Sequence, residues 1–109
     1  ENGVGRDRLR FYDGGSRSCN SAVGRVGGVQ FVSMGGQCLT LGVITHELAH
    51  ALGVMHTVKR VDRDQYLTIN WQNIKFGLTH NFVIESGQTS DNYGIPYEFG
   101  SNMHYAQEE

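Results

Sequence analysis

The sequence predicts an α+β fold in which a small mixed sheet packs on one helix. Two short strand patterns come first, one helix pattern follows at residues 40–52, and the rest of the chain reads as largely irregular. Strands and helices that are segregated along a chain, rather than alternating, are typical of this class. With 109 residues the chain is long enough for one small domain and too short for two.

The strand predictions rest on short apolar patterns bounded by glycine or polar residues. Residues 8–12 (RLRFY) read as one strand, and valine and phenylalanine residues within 24–33 read as a second strand that Gly27 and Gly28 interrupt. Residues 67–71 alternate between apolar and polar side chains, which predicts a third, half-buried strand.

The helix prediction is the strongest of the chain. Thr40 is a plausible N-cap, and Gly53 stands where a helix that ends in a left-handed turn requires glycine. Between them, apolar residues recur at spacings of three and four and form one narrow stripe; they are Leu41, Ile44, Leu48 and Leu52.

The second half of the chain gives weaker patterns. Residues 61–64 (VDRD) predict a polar turn, and residues 86–95 are rich in polar residues and glycine and predict a loop. Residues 73–84 are ambiguous, with a short helix as one option.

Charge and hydropathy exclude several partners. Nine basic and eleven acidic residues give a net charge of −2, which argues against nucleic acid or an anionic membrane as a partner. No apolar run reaches the roughly 20 residues that a membrane span requires. The chain begins with Glu1-Asn2-Gly3 and no apolar stretch, so we expect no signal peptide here and a piece of a longer product.

Two cysteines, Cys19 and Cys38, leave two interpretations open. They could be reduced core thiols, or they could form a bridge. A bridge would close a loop of about 20 residues, stabilise the fold by roughly 3 kcal/mol, and imply an oxidising compartment.

A metal-binding pattern occupies the end of the predicted helix. His46 and His50 are one turn apart on the side opposite the apolar stripe, where two imidazoles can bind a single zinc ion. Gly53 can end the helix and turn the chain so that His56 becomes a third ligand. Residues 46–56 (HELAHALGVMH) fit the pattern HExxHxxGxxH at all five specified positions.

This pattern predicts hydrolytic chemistry. Three neutral imidazoles leave zinc an open position for water and lower the pKa of that water towards about 7. Glu47 adjoins the ligands and can take the proton of the water and pass it to a leaving amine. We therefore predict a zinc-dependent endopeptidase; the alternative is a zinc-binding module without catalysis, in which Glu47 would have no chemical purpose.

Beyond the motif, the sequence resembles the astacin family of the metzincin clan. Residues 60–74 (RVDRDQYLTINWQNI) are closely similar to the RxDRDxYVxIxxxNI stretch of that family, and residues 101–105 (SNMHY) match its SxMHY Met-turn. Residues 19–25 and Cys38 are similar to its short-range cysteine pair around the substrate-binding edge strand. Another metzincin, such as a serralysin-like or matrixin-like enzyme, would explain neither the DRD block nor the paired cysteines.

The resemblance implies specific roles for several residues. It implies a metzincin (zincin-like) core with its Met-turn near the C-terminus, in which Met103 forms a hydrophobic floor under the zinc. It makes Tyr105 a fifth, displaceable ligand whose hydroxyl stabilises the transition state. It also implies a disulfide between Cys19 and Cys38 and a secreted protein or ectodomain. His80 and His104 match no ligand position, so we expect both to be structural or exposed.

The resemblance also sets the domain prediction and the partners. A family catalytic domain has about 200 residues, within the usual range for a domain. Residues 1–109 are therefore predicted to be a partial catalytic domain with its N-terminal and C-terminal lobes truncated. The expected ligands are one Zn²⁺ ion per chain and protein or peptide substrates.

Overall fold

The computed structural model describes residues 5–106 of the chain. They fall into two compact units that meet in sequence between Met55 and His56, and each unit is described by itself. Residues 1–3, on which the expectation of no signal peptide depends, lie outside the described range.

The first unit contains a small mixed sheet, as predicted; it has three strands, one of which, at Cys19–Ser21, was not predicted. Its strands are β1 (Arg8–Tyr12), β2 (Cys19–Ser21) and β3 (Val29–Met34). The central strand is β3, which pairs in parallel with β1 and antiparallel with β2. The first predicted strand is confirmed, whereas the second starts only at Val29 and ends at Met34.

Two glycines explain why the central strand begins at Val29. Gly27 and Gly28 have φ values of +85° and +65°, in the left-handed region that side chains with a Cβ resist. The turn is held by Asp7, whose carboxylate accepts the backbone N–H of Gly28 at 2.7 Å and pairs with Arg25. These two contacts, that of Gly28 first, lower the pKa of the Asp7 carboxyl.

The helix α1 spans Leu41–Ala51 and lies against the sheet. Thr40 caps it, because its side-chain oxygen accepts the backbone N–H of Val43 at 3.3 Å. The shared core consists of buried and half-buried apolar residues from the sheet, the helix and the segment between them; they are Leu9, Cys19, Val32, Met34, Cys38, Val43, Ile44 and Ala51.

The apolar stripe predicted for this helix is only partly buried, since Ile44 packs against the core and Leu48 is half-buried. Leu41 and Leu52 are 79% and 75% exposed, while Glu47, His50 and Ala51 are buried. The inward face is thus centred near Glu47, roughly a third of a turn from the expected stripe. The two leucines stand at the two ends of the helix, and the helix turns Glu47 and His50 inward instead.

The second unit consists of loops and short 3₁₀ turns at Thr57–Lys59, Arg63–Gln65, Trp71–Asn73 and Thr79–Phe82. The predicted turn at 61–64 and the loop at 86–95 are confirmed, and the ambiguous segment 73–84 contains a 3₁₀ turn rather than an α-helix. No helix in the described part of the chain is both long and apolar enough to cross a membrane.

The strand predicted at residues 67–71 is wrong. Leu67 and Ile69 are half-buried and Thr68 and Asn70 are exposed, so the alternation of the side chains is real. This segment has no ladder partner within residues 5–106, and the N–H of Leu67 instead bonds to the carbonyl of Arg63. Alternating apolar and polar residues indicate a segment that is buried on one side, but such a segment forms a β-strand only where a second strand pairs with it.

A buried arginine organises this second unit. Arg63 is only 3% exposed, and its guanidinium donates to the carbonyls of Val58 and Phe82 and to the Asp64 carboxylate. It also lies 5.7 Å from the centre of the Trp71 ring. One side chain therefore joins several segments that are distant in sequence.

The disulfide between Cys19 and Cys38 gives the first prediction, since it joins strand β2 to the segment before α1. Replacing both cysteines by alanine should lower the free energy of unfolding by about 3 kcal/mol, because the unfolded chain regains the entropy of the open loop. Urea unfolding measures the effect, with Ser21→Ala in the same strand as the control. Non-reducing mass analysis that finds two free thiols in the parent protein would contradict the pairing.

Candidate metal centre

Three histidines converge within one continuous stretch of eleven residues. One ring nitrogen from each of His46, His50 and His56 lies within 4.8 Å of the corresponding nitrogens of the other two. On α1, the i, i+4 spacing brings the first two rings to a centroid distance of 4.7 Å at an angle of 89°. Within residues 5–106, these three histidines form a group of donor atoms that could hold one metal ion.

The chain leaves α1 through a left-handed turn at Gly53, whose φ is +99°. The N–H of Val54 bonds to the Ala49 carbonyl at 2.9 Å, and that of Gly53 to the His50 carbonyl at 2.8 Å. This pair of bonds is the Schellman motif, which satisfies the last carbonyls of a helix and reverses the chain. Because the chain reverses here, a residue only six positions after His50 can bring its imidazole close to those of His46 and His50.

A hydrogen bond fixes the orientation of the His50 imidazole. Its Nδ1 lies 2.8 Å from the backbone carbonyl oxygen of Val54. A carbonyl only accepts, so Nδ1 carries the proton and, in the neutral ring, Nε2 is the unprotonated nitrogen whose lone pair can bind a metal. Metal-binding histidines in proteins commonly have such a partner for their second nitrogen.

Glu47 is the unusual polar residue of the helix. It is only 6% exposed, and its Oε2 atom has no hydrogen-bond partner in the described part of the structure. A buried carboxylate oxygen without a partner costs free energy, and structures keep such an atom mainly where something else satisfies it. A water molecule next to the histidine group would be a suitable partner.

Tyr105 contacts the third histidine. Its hydroxyl lies 2.9 Å from Nδ1 of His56, and the two rings are 4.5 Å apart. Phe82 packs edge-on against the Tyr105 ring at 5.4 Å. The phenol is therefore held beside a predicted metal ligand, where it can either orient that imidazole or add an oxygen donor.

Met103 is buried, at 5% exposure, within a tight turn. The backbone N–H of Met103 donates to the Ser101 hydroxyl at 3.1 Å, and the N–H of His104 to the Ser101 carbonyl at 2.9 Å. The carbonyl of Met103 accepts the N–H of Thr57, the residue after His56, at 2.8 Å. This turn thus lies directly beside the chain that carries the third histidine.

The residues present fit a zinc ion. Three imidazole nitrogens are a common donor set for catalytic zinc, and this set leaves a coordination position for water. The orphaned oxygen of Glu47 is the independent observation that supports a water-filled site rather than a closed structural one.

The three histidine donors were predicted from the sequence, but the hydrogen bonds that orient their rings were not. The Val54 carbonyl that orients His50 belongs to the backbone, so no side-chain pattern could reveal it. His80 is exposed as expected, and His104 is structural, with both of its ring nitrogens in hydrogen bonds. The partner of His104 is Tyr97, which the sequence analysis did not single out.

A helix that carries paired histidines, a glycine turn and a third histidine, packed on a small mixed sheet, is the metzincin arrangement. The family model named Astacin, which is described as a peptidase family, matches residues 1–109. The chain belongs to the astacin family, which excludes the serralysin-like and matrixin-like alternatives.

Relatives and a solved structure agree with this assignment. Zinc metalloproteinase nas-37 of Caenorhabditis elegans is 49% identical over 105 residues, which are 96% of this chain and 14% of the relative. Zinc metalloproteinase dpy-31 of Brugia malayi is 48% identical over 104 residues, 94% of this chain and 17% of the relative. High choriolytic enzyme 1, a hatching enzyme zinc-protease of the medaka Oryzias latipes, superposes with a TM-score of 0.85 at 38% identity, covering 95% of this chain and 50% of that one.

Gly53→Ala tests the turn that precedes the third histidine. A Cβ at this position would meet only ordinary van der Waals contact, so the cost is conformational and should be about 1–2 kcal/mol of unfolding free energy. We also expect weaker zinc binding, measured by competition with a chelator. Gly36→Ala, in open space and without a positive φ, is the matched control. Equal stability and affinity in the two variants would contradict the assigned role of the turn.

His56→Ala tests the third donor. Zinc affinity should fall by more than the roughly 100-fold that the loss of an outer-shell partner costs, because a direct ligand is removed. His80→Ala, the same change at an exposed histidine, should keep the zinc content of the parent protein. Metal analysis after dialysis measures both variants, and full zinc occupancy in His56→Ala would remove this residue from the site.

Proposed function

We propose that this chain is part of the catalytic domain of a zinc-dependent endopeptidase that hydrolyses internal peptide bonds of proteins. The observation that carries the proposal is the buried Glu47 carboxylate oxygen, unpartnered among residues 5–106, on the helix that presents His46 and His50. The chain spans half the length of the medaka hatching enzyme structure and 14–20% of the curated relatives it matches, so the activity belongs to a longer protein.

The residues have distinct tasks in this proposal. His46, His50 and His56 hold the metal through their neutral nitrogens, and His50 is kept in the required tautomer by the Val54 carbonyl. When bound, zinc supplies a Lewis acid that lowers the pKa of a water molecule and polarises the scissile carbonyl.

Glu47 is the general base and then the general acid. Its Oε2 atom accepts a proton from the attacking water and returns it to the nitrogen of the departing amine. Its burial excludes bulk water, which strengthens the hydrogen bonds that this carboxylate makes during the reaction.

Tyr105 and Met103 have supporting tasks. The Tyr105 hydroxyl, already within hydrogen-bond distance of His56, can donate to the oxyanion that develops on the substrate. Met103, buried in the turn that bonds to Thr57, is assigned to the hydrophobic floor of the site.

The protein context follows from the same observations. A disulfide between Cys19 and Cys38 persists in oxidising compartments, so we infer a secreted protein or an ectodomain. The relatives are named as metalloproteinases and one neighbour as a hatching enzyme, which supports protein substrates for this chain as well.

The deciding experiment replaces Glu47 by glutamine in the longer natural product. The variant should bind zinc as well as the parent protein and lose a factor of about 10²–10⁴ in cleavage of a denatured protein substrate, the usual contribution of a general base. Glu98→Gln, at an exposed position, is the matched control. Cleavage by Glu47→Gln at the parental rate would exclude this mechanism, and absence of cleavage in the parent itself would favour a non-catalytic zinc-binding module.

A further inference from the structure

His104, immediately before Tyr105, is held at both ring nitrogens. Its Nε2 lies 3.0 Å from the hydroxyl oxygen of Tyr97, and its Nδ1 lies 2.7 Å from the backbone carbonyl oxygen of Tyr105. The carbonyl can only accept, so Nδ1 carries the proton. In the neutral ring Nε2 is then an acceptor, and the Tyr97 hydroxyl is its donor.

Tyr97 is suited to remain a donor. A tyrosine hydroxyl keeps its proton at neutral pH, and the burial of this side chain raises the pKa of the hydroxyl further above its ordinary value. The ring stacks on Tyr66 with a centroid distance of 4.7 Å and an angle of 15°. The position of the hydroxyl is thus set by a rigid aromatic pair.

Arg60 also contacts Tyr97. Its guanidinium lies 5.2 Å from the centre of the Tyr97 ring and donates to the carbonyls of Ile95 (2.9 Å) and Pro96 (3.2 Å), the two residues before it. Asp62 holds the guanidinium through two bonds of 2.8 and 2.9 Å, and Arg60 lowers the pKa of that carboxyl in return. Both the ring and the backbone of Tyr97 are therefore anchored.

These contacts form a continuous path to the predicted site. Arg60 contacts the Tyr97 ring, and the Tyr97 hydroxyl donates to His104. His104 in turn donates to the backbone carbonyl of Tyr105. The hydroxyl of Tyr105 lies 2.9 Å from Nδ1 of His56. Every residue of the path belongs to the second unit.

We propose that Tyr97 and His104 are positioning residues for Tyr105. The Tyr105 carbonyl requires the Nδ1–H tautomer of His104, and the Tyr97 hydroxyl holds the ring in place by donating to its Nε2 atom. The Nδ1–H group then fixes the backbone of Tyr105 so that its phenol stands ready beside His56. The inference deepens the proposed endopeptidase function and rests on it, because it concerns the placement of a group that acts on the transition state rather than on the substrate in its ground state.

The tautomer can be measured without any activity. Nitrogen-15 NMR of histidine-labelled longer product should show His104 with a protonated Nδ1 and an unprotonated Nε2. In Tyr97→Phe the Nδ1–H form should persist, because the Tyr105 carbonyl remains its acceptor, while the Nε2 resonance should shift as that nitrogen loses its hydrogen-bond donor. An Nε2–H tautomer in the parent protein would overturn the proposal, even if the variant proved unable to fold.

Steady-state kinetics distinguish a positioning role of Tyr97 from a purely structural one. Tyr97→Phe keeps the stacked ring and removes one oxygen, so we expect full zinc content, an unchanged KM and a kcat lower by on the order of tenfold. Tyr66→Phe removes the hydroxyl of the stacked neighbour and should leave kcat and KM at the parental values. A Tyr97→Phe enzyme with the parental kcat would overturn the proposal.

A double-variant cycle tests the order of the contacts. His104→Asn retains an N–H close to the position of Nδ1 for the Tyr105 carbonyl and offers nothing at the position of Nε2. It should therefore recover most of the kcat that His104→Ala loses, and adding Tyr97→Phe to it should cause no further loss. Additive losses for Tyr97→Phe and His104→Asn would overturn the path through His104.

Failure of this inference is distinct from failure of the proposed function. If Glu47→Gln retained full activity, the catalytic proposal would fall, whereas the His104 tautomer would still be read directly by NMR. If Glu47→Gln lost activity and Tyr97→Phe did not, only the positioning role would fall.

Discussion

The left-handed turn at Gly53 is the constraint on which the rest of the site depends. A helix alone can present His46 and His50, but a third donor on the same helix would point away. With φ at +99° the chain satisfies the last helical carbonyls and reverses within a few residues. The same reversal brings the Val54 carbonyl to His50, so one backbone conformation supplies both a route to His56 and the bond that orients His50.

Burial of Glu47 shows how stability and chemistry compete within α1. The helix turns this carboxylate inward and leaves Leu41 and Leu52 largely exposed, the opposite of what packing alone favours. The first unit is held together apart from this helix face, by the disulfide and by the small core around Val32. A site that needs a buried oxygen without a protein partner requires a scaffold that is held elsewhere by stronger means.

The sequence predicted those parts that depend on local chemistry. Strand β1, the Thr40 cap, the end of α1 at Gly53 and the three histidine donors follow from residue type and spacing over a few positions. The alternation at residues 67–71 misled, because the described part of the chain places no partner strand there that a local pattern could report. The support from Tyr97 to His104 was missed for a related reason, since hydrogen bonds between distant side chains leave no periodic trace.

The contiguity of the three donors makes the site a chelate encoded by a single segment. Only three residues separate the first two histidines and five the second and third, so closing the metal ring orders little chain beyond what the helix and its turn already fix. Affinity for the ion is then largely a local property. The rest of the chain can therefore vary in sequence without changing the spacing of the three donors.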